Sequence, residues 1–256
     1  NGITGVLLAG LLIFTFSFPP AYCAAYYNID LDLISRGSFG YYGSILTNLN
    51  FVLFTIILFA LEGSIMAQGF YVIIGIPLWI GYVISALIVF PPVLIGMKTL
   101  AKLQTYTTPL WLILMCGPLI YLVVTDFDTV DYFLDFEGAP ENIGKSSSPV
   151  LLTMGICLAL MTQIAEQIDY LRCMPKPTAK ISKSVLFWTV LGGPGWIIFG
   201  ITKQIIGMFI GTYLFNNGMS TEDVVQPVRQ FIGIYKVMLP DFFAYFLALL
   251  LVVVSQ

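Results

Sequence analysis

The sequence predicts an all-α integral membrane protein, a bundle of about seven apolar helices. Three observations predict it. Of the 256 residues, 58% are hydrophobic and only 10% are charged, against roughly 25% charged in an average soluble domain. Mean hydropathy is +0.91. The apolar residues fall in runs of the length that a helix needs to cross a bilayer, about 20 residues. So little charge cannot wet a soluble surface, which excludes water-soluble enzymes and disordered chains. A net charge of −3 lacks the basic footprint of a nucleic-acid binder. With no histidine, His-based triads, His-ligated zinc or haem and His proton relays are excluded. Cys23, Cys116, Cys157 and Cys173 stand far apart, in or beside apolar runs and without CxxC spacing. They read as reduced packing thiols.

The spans fall near 3–27, 45–69, 72–96, 109–124, 149–170 and 184–215, within one transmembrane domain over 1–256. A partial seventh occupies 240–256, where Leu247 to Val254 is uninterrupted apolar sequence. Strands of a barrel would be about 10 residues of alternating polarity; these runs are longer and apolar all round. In the first and third spans, Pro19-Pro20 and Pro91-Pro92 predict kinks. In the fifth, Pro149 and Gly155 predict bending or unwinding between 149 and 160. Gly192, Gly193, Pro194 and Gly195 in the sixth lack the GxxxxGK[ST] pattern of a phosphate loop and predict a kink with close helix packing. Lys203 follows far enough along to snorkel to the interface. In the loop 216–240, Val224, Val225, Val228, Phe231 and Ile232 follow helical spacing and predict an amphipathic interfacial helix.

Basic residues set the orientation. Loops 28–44, 97–108 and 171–183 hold Arg36, Lys98, Lys102, Arg172, Lys176, Lys180 and Lys183. The opposite loops hold Lys145, Arg229 and Lys236, with the acidic run Asp126, Asp128, Asp131, Asp135 and Glu137. The positive-inside rule makes the first set cytoplasmic. The chain then starts outside, and its missing Met and unclosed last span lead us to expect truncation at both ends, with one span missing upstream.

Charge inside hydrocarbon is costly and asks for an explanation. Glu62, flanked by Gly63 and Ser64, has two readings: a ligand for solute or proton, or a protonated or paired structural carboxyl. Gln163, Glu166 and Tyr170 share a helix face at i, i+3, i+7; Gln163 either lines a cavity or bonds a neighbouring helix. Asp169 and Arg172, at i, i+3, read as a structural or gating ion pair. No nucleophile–base or metal-ligand set appears, so no enzyme is expected.

Three motifs carry a resemblance. Ser35-Arg-Gly-Ser-Phe-Gly-Tyr-Tyr-Gly-Ser44 resembles the Arg-x-x-Phe-Gly-x-x-Gly-Ser entry of the nucleobase–cation symporter-1 (purine-cytosine permease-like) family. Ile168-Asp-Tyr-Leu-Arg172 resembles that family's Asp-[Phe/Tyr]-x-Arg signature, and Pro194-Gly-Trp-Ile-Ile-Phe-Gly200 resembles its seventh helix. The resemblance implies a LeuT-type inverted-repeat bundle of the APC superfamily, with solute bound near the midplane. It also implies secondary active uptake of a nucleobase-like or other small nitrogenous solute, by alternating access. On it, Glu62 stands where the family reads the heterocycle through an amide, and Leu58 and Leu160 stand where it stacks tryptophans. Gln163 joins this substrate-binding set. Val252 and Ser255 would contribute to the cation site, and Asp169, Arg172 and Glu166 to gating. No cofactor is implied beyond Na+ or H+ as coupling ion. The partners implied are a small-molecule solute and the lipid bilayer, in a bacterial inner (plasma) membrane. The sequence also resembles permease-like modules fused to sensor histidine kinases, which implies an alternative: a sensory input domain that binds a solute without transporting it.

Overall fold

The computed structural model describes residues 2–136, 138, 148–175 and 183–255, which form helices joined by short turns and contain no strand. Lys145, Lys176, Lys180 and Glu137, on which part of the orientation argument rests, lie outside these residues, as does the side chain of Lys98. Five segments are long and apolar enough to cross a membrane: Gly2–Tyr27, Leu31–Ile74, Thr99–Thr125, Pro149–Leu171 and Lys183–Asn216. Leu78–Pro92 and Asp241–Val254 are shorter apolar helices. The chain divides into two compact units, Asn1–Ile57 with Asn142–Ile205, and Leu58–Glu141 with Ile206–Gln256.

The first unit is built around α1 (Gly2–Tyr27). It packs against α6 (Pro149–Leu158), a 3-10 segment (Ala159–Ala165), α7 (Glu166–Leu171) and α8 (Lys183–Gly192). Small residues allow the approach, as in membrane helix pairs generally. A Cβ on Gly5 would stand 2.7 Å from the Val150 carbonyl oxygen and 2.8 Å from Thr153 Cβ. The turn at Gly193–Gly195 between α8 and α9 (Trp196–Asn216) is equally tight, with a Gly193 Cβ 2.9 Å from Ala21 and 3.0 Å from Leu171. Ala21, Ala24 and Ala25 form a small core with Ile168 and Leu171. Pro19 and Pro20 are carried inside α1, and just before them the buried Gln167 amide of α7 donates to the Ser17 carbonyl at 2.8 Å.

Residues 28–44, read from the sequence as a loop, are mostly helix. α2 (Leu31–Ile74) begins after a three-residue link and breaks at Gly40, which takes φ 69°, ψ −175°. A side chain there would be strained, which is why glycine stands at the elbow. One bond ties the two arms across it, Asn48 Nδ2 donating to Asp32 Oδ1 at 3.1 Å, while Arg36, on the same arm as Asp32, pairs with that carboxylate.

The second unit holds the rest of α2 and α9. To these it adds α3 (Leu78–Ile95), α4 (Met97–Thr125), α5 (Asp128–Asp135), α10 (Thr221–Val224), α11 (Pro227–Met238) and α12 (Asp241–Val254). Residues 97–108, also read as a loop, form the first turns of α4, where Lys102, Gln104 and Thr105 are exposed. Its core gathers Met66, Phe70, Leu114, Leu122, Ile210 and Tyr235. The amphipathic helix starts later than the valine spacing predicted. Val224 ends α10 and Val225 is 73% exposed; the buried face of α11 is Val228, Phe231, Ile232, Ile234 and Tyr235. Pro227 sets that start, because it suits the first helical turn and holds Gln226 extended at φ −89°, ψ 114°. Tyr235 also answers a proline. Pro118 has no N–H to offer the Leu114 carbonyl one turn back, and the buried Tyr235 hydroxyl donates to that oxygen at 2.7 Å. Burial pushes the Tyr235 phenol above its ordinary pKa.

Candidate functional site

The site lies in the first unit, at the interruption of the fifth apolar span. α6 is regular to Leu158, and the next seven residues wind as a 3-10 helix before α7 resumes. The break therefore begins at Ala159, inside the end of the stretch 149–160 expected from Pro149 and Gly155, and lies mostly beyond it. Pro149 occupies the first turn of α6, where its missing N–H is not needed, and Gly155 is carried within the helix. Ala159–Ala165 contains neither glycine nor proline, so local propensity does not account for it. A 3-10 run longer than about four residues is uncommon, and inside a helix it marks strain or a hinge.

A cavity of about 300 Å³ opens beside this segment. One wall is α2 beyond the elbow, with Thr47, Asn50 and Phe51; the opposite wall includes Thr162; Leu31 and Ile34 of the short arm also line it. Among the described residues that line it, none is charged. The Thr47 hydroxyl is occupied by the Ser44 carbonyl at 2.9 Å, whereas Thr162 Oγ1 is buried with no hydrogen-bond partner. A second space, about 20 Å³, lies between Leu160, Trp196 and Gly200, where the Cys157 thiol donates to Gln204 Oε1 at 3.1 Å.

The end of α7 is tied to the link between α1 and α2. Asn28, at φ 53°, donates through Nδ2 to the carbonyls of Arg172 at 2.7 Å and Met174 at 2.8 Å. It thereby serves carbonyls left over at a helix terminus. Arg172 reaches Asp30 at 3.7 Å and Asp169 at 3.6 Å.

Of the residues singled out in the sequence, Leu160, Gln163, Glu166, Asp169 and Arg172 lie along this one interrupted segment. Leu160 lines the smaller space, Gln163 and Glu166 are half-buried, and Asp169 meets Arg172. Leu58 and Glu62 stand one turn apart on α2 in the second unit, Leu58 half-buried and Glu62 exposed. Val252 and Ser255 end α12: Val252 is buried against Gly69, and the Ser255 hydroxyl donates to the Val252 carbonyl at 3.0 Å. None of Leu58, Glu62, Leu160 and Gln163 is among the described residues lining the larger cavity. Thr47, Asn50 and Phe51 were missed. Asn50 carried a signal, since an amide inside an apolar span calls for the same explanation as Glu62.

Apolar spans, an interrupted helix and a cavity large enough for a small solute are the features of a membrane transporter fold. More particularly, the chain belongs to the family of permeases for cytosine/purines, uracil, thiamine and allantoin, whose model matches residues 3–256. It is a multi-pass membrane protein of a family that carries nucleobase-like solutes. No curated protein and no solved structure matches the chain.

Proposed function

We propose that the protein performs secondary active uptake of a small nitrogenous solute, coupled to Na+ or H+, by alternating access in a LeuT-type inverted-repeat bundle. The observation that carries this reading is the 3-10 interruption inside the span Pro149–Leu171, beside a cavity of about 300 Å³. Transporters of that kind bind solute where a spanning helix is discontinuous and its backbone groups are released. In this reading Thr47, Asn50 and Phe51 form the α2 wall of the solute site. Leu160 and Gln163 act from the interrupted segment, and Leu58 and Glu62, in the second unit, are candidate solute contacts in their own right. Glu62 favours a hydrogen-bond-donating edge of the solute. Ser255 and the Val252 carbonyl contribute to the cation site, and Arg172 with Asp169 and Glu166 to gating. The orientation follows the basic loops, with the α1–α2 link and the end of α7 on the cytoplasmic side of a bacterial plasma membrane.

The test is uptake of radiolabelled uracil, cytosine and allantoin into proteoliposomes under an imposed Na+ or H+ gradient. Uptake that follows one gradient and collapses with the matching ionophore is expected. Binding without gradient-driven uptake would overturn coupled transport and favour a sensory module.

A further inference from the structure

Residues 31–39, the short arm of α2, lie between two backbone turning points. Asn28 before it takes φ 53°, the one positive φ of a non-glycine among the described residues, and Gly40 after it takes φ 69°, ψ −175°. That second conformation is open in practice to glycine alone. Gly43 gives the bend its room, since a Cβ there would stand 2.6 Å from Phe39 Cβ. The arm turns one side inward. Leu31 and Ile34, at i and i+3, line the larger cavity and pack against the small core that holds Ile168 and Leu171. Leu33, Arg36 and Phe39 are exposed. The arm's grip is slight. Both inward side chains are only half-buried, and among the described residues one side-chain hydrogen bond joins the arm to the rest of α2, from Asn48 Nδ2 to Asp32 Oδ1. Each partner is next in sequence to a cavity-lining residue, Asp32 to Leu31 and Asn48 to Thr47. The bond therefore closes the corner where the arm meets the α2 wall. Arg36 steadies the acceptor: its guanidinium pairs with Asp32 and lies 5.0 Å from the Tyr41 ring centroid across the elbow.

We propose that the short arm is a strap closing the larger cavity, pivoting at Gly40, with Asp32 and Asn48 as the positioning residues that hold it shut. Release of their bond turns Leu31 and Ile34 outward and uncovers the wall they face, which includes Ala165 and Ile168. The bond suits that role. A carboxylate acceptor makes it stronger than a bond between neutral groups, yet both groups are only partly buried, so water replaces each when they part. The far end of the strap stays anchored. Asn28 donates to the Arg172 and Met174 carbonyls, and Arg172 faces Asp30, so the arm turns between two fixed points. The closure rests on this geometry, while a family solute as the enclosed molecule rests on the transport reading.

The experiment uses the whole protein in lipid nanodiscs and needs no solute. Ala165→Cys places a thiol on the wall opposite α2, and its reaction with a small methanethiosulfonate is read by peptide mass spectrometry, which lets the native cysteines stay. Hydrogen exchange of residues 31–39 is followed beside it. Adding Asn48→Ala should raise the labelling rate at position 165 about tenfold, the opening expected when a bond to a charged acceptor is lost. It should also speed exchange in 31–39 while α1 keeps its parental protection. An unchanged labelling rate would overturn the proposal. So would faster exchange throughout α1, because the bond would then hold the whole unit and not the strap. Asp32→Asn is the second variant, and it decides where Asn48→Ala does not fold. It keeps an acceptor without the charge and should raise labelling about threefold, the parental rate again overturning the strap. Uptake of uracil, cytosine and allantoin is measured separately: a parent that carries none of them overturns the transport reading, and labelling still decides the strap.

Discussion

The two units differ in how completely they satisfy buried polar atoms. In the second, each one that reaches into the core from α11 meets a backbone carbonyl. Tyr235 donates to Leu114, and Gln230 donates through Nε2 to the Gly207 carbonyl at 2.8 Å. In the first unit, Asn28 Oδ1, Thr162 Oγ1, Gln167 Oε1 and Trp196 Nε1 are buried without partners, and among the described residues such side-chain atoms occur only there. Both spaces beside the interrupted span lie in that unit as well. Satisfied polar atoms specify one packing, whereas unsatisfied ones sacrifice stability and are tolerated where a site needs them. The first unit therefore holds the less completely satisfied packing, around the interrupted span, and the second the more completely satisfied one.

The largest expected effect tests whether strain in one unit stays there. Gly5 abuts the Val150 carbonyl oxygen at 2.7 Å for an added Cβ, and Gly81 abuts Ala67 Cα at 3.0 Å. Overpacking at such backbone contacts costs about 1–3 kcal/mol, so Gly5→Ala and Gly81→Ala should both lower the melting temperature. Only Gly5→Ala should also weaken solute binding, because it displaces α6, which leads directly into the 3-10 segment. Equal affinities for the two variants, measured beside their melting curves, would break the comparison.

The next effect sets a satisfied donor against a half-satisfied one. Tyr235→Phe leaves the Leu114 carbonyl with neither a backbone nor a side-chain donor, at about 1–3 kcal/mol. Gln167→Leu loses the bond to Ser17 but also removes an unpaired oxygen, so its cost should be nearer 1 kcal/mol or less. Chemical denaturation of the two variants against the parent checks the order. The phenol adds a pH dependence whose sign is fixed. Its pKa in the folded state is raised, so its contribution is intact below the unfolded value of about 10 and is lost as pH rises beyond it. Between pH 9 and about 11 the parent should therefore lose stability faster than Tyr235→Phe.

What the sequence made legible follows from which forces act locally. Apolar length made the helices legible, because a bilayer demands about 20 such residues, whereas the start of α11 was misplaced because the reading followed the valine spacing and not Pro227. The Asp169–Arg172 pair was legible because i, i+3 spacing places two charges together on any helix. The elbow at Gly40 was hidden inside a motif read as a loop, since exposed helix and loop share a polar composition. The 3-10 segment was least legible of all. Its residues propagate an α-helix well, and its winding is set by neighbours far away in sequence, such as α1. The cavity inherited that obscurity: Thr47, Asn50 and Phe51 meet Thr162 only through tertiary packing.

The smallest expected effect concerns Arg172. Its side chain is 42% exposed, and its partners Asp30 and Asp169 are 42% and 45% exposed. Ion pairs so open to solvent contribute about 0–1 kcal/mol and are screened by salt. Arg172→Gln should therefore shift melting only slightly, and raising the salt should move the parent by a similar amount. Asn28→Ala should cost more, because the Arg172 and Met174 carbonyls each lose a donor. That ordering separates the two readings of the Asp169–Arg172 pair. A purely structural pair predicts that uptake by Arg172→Gln falls no further than its small loss of stability. A gating pair predicts that uptake falls by much more while melting holds, because a contact of little net worth can still decide between two conformations of nearly equal energy.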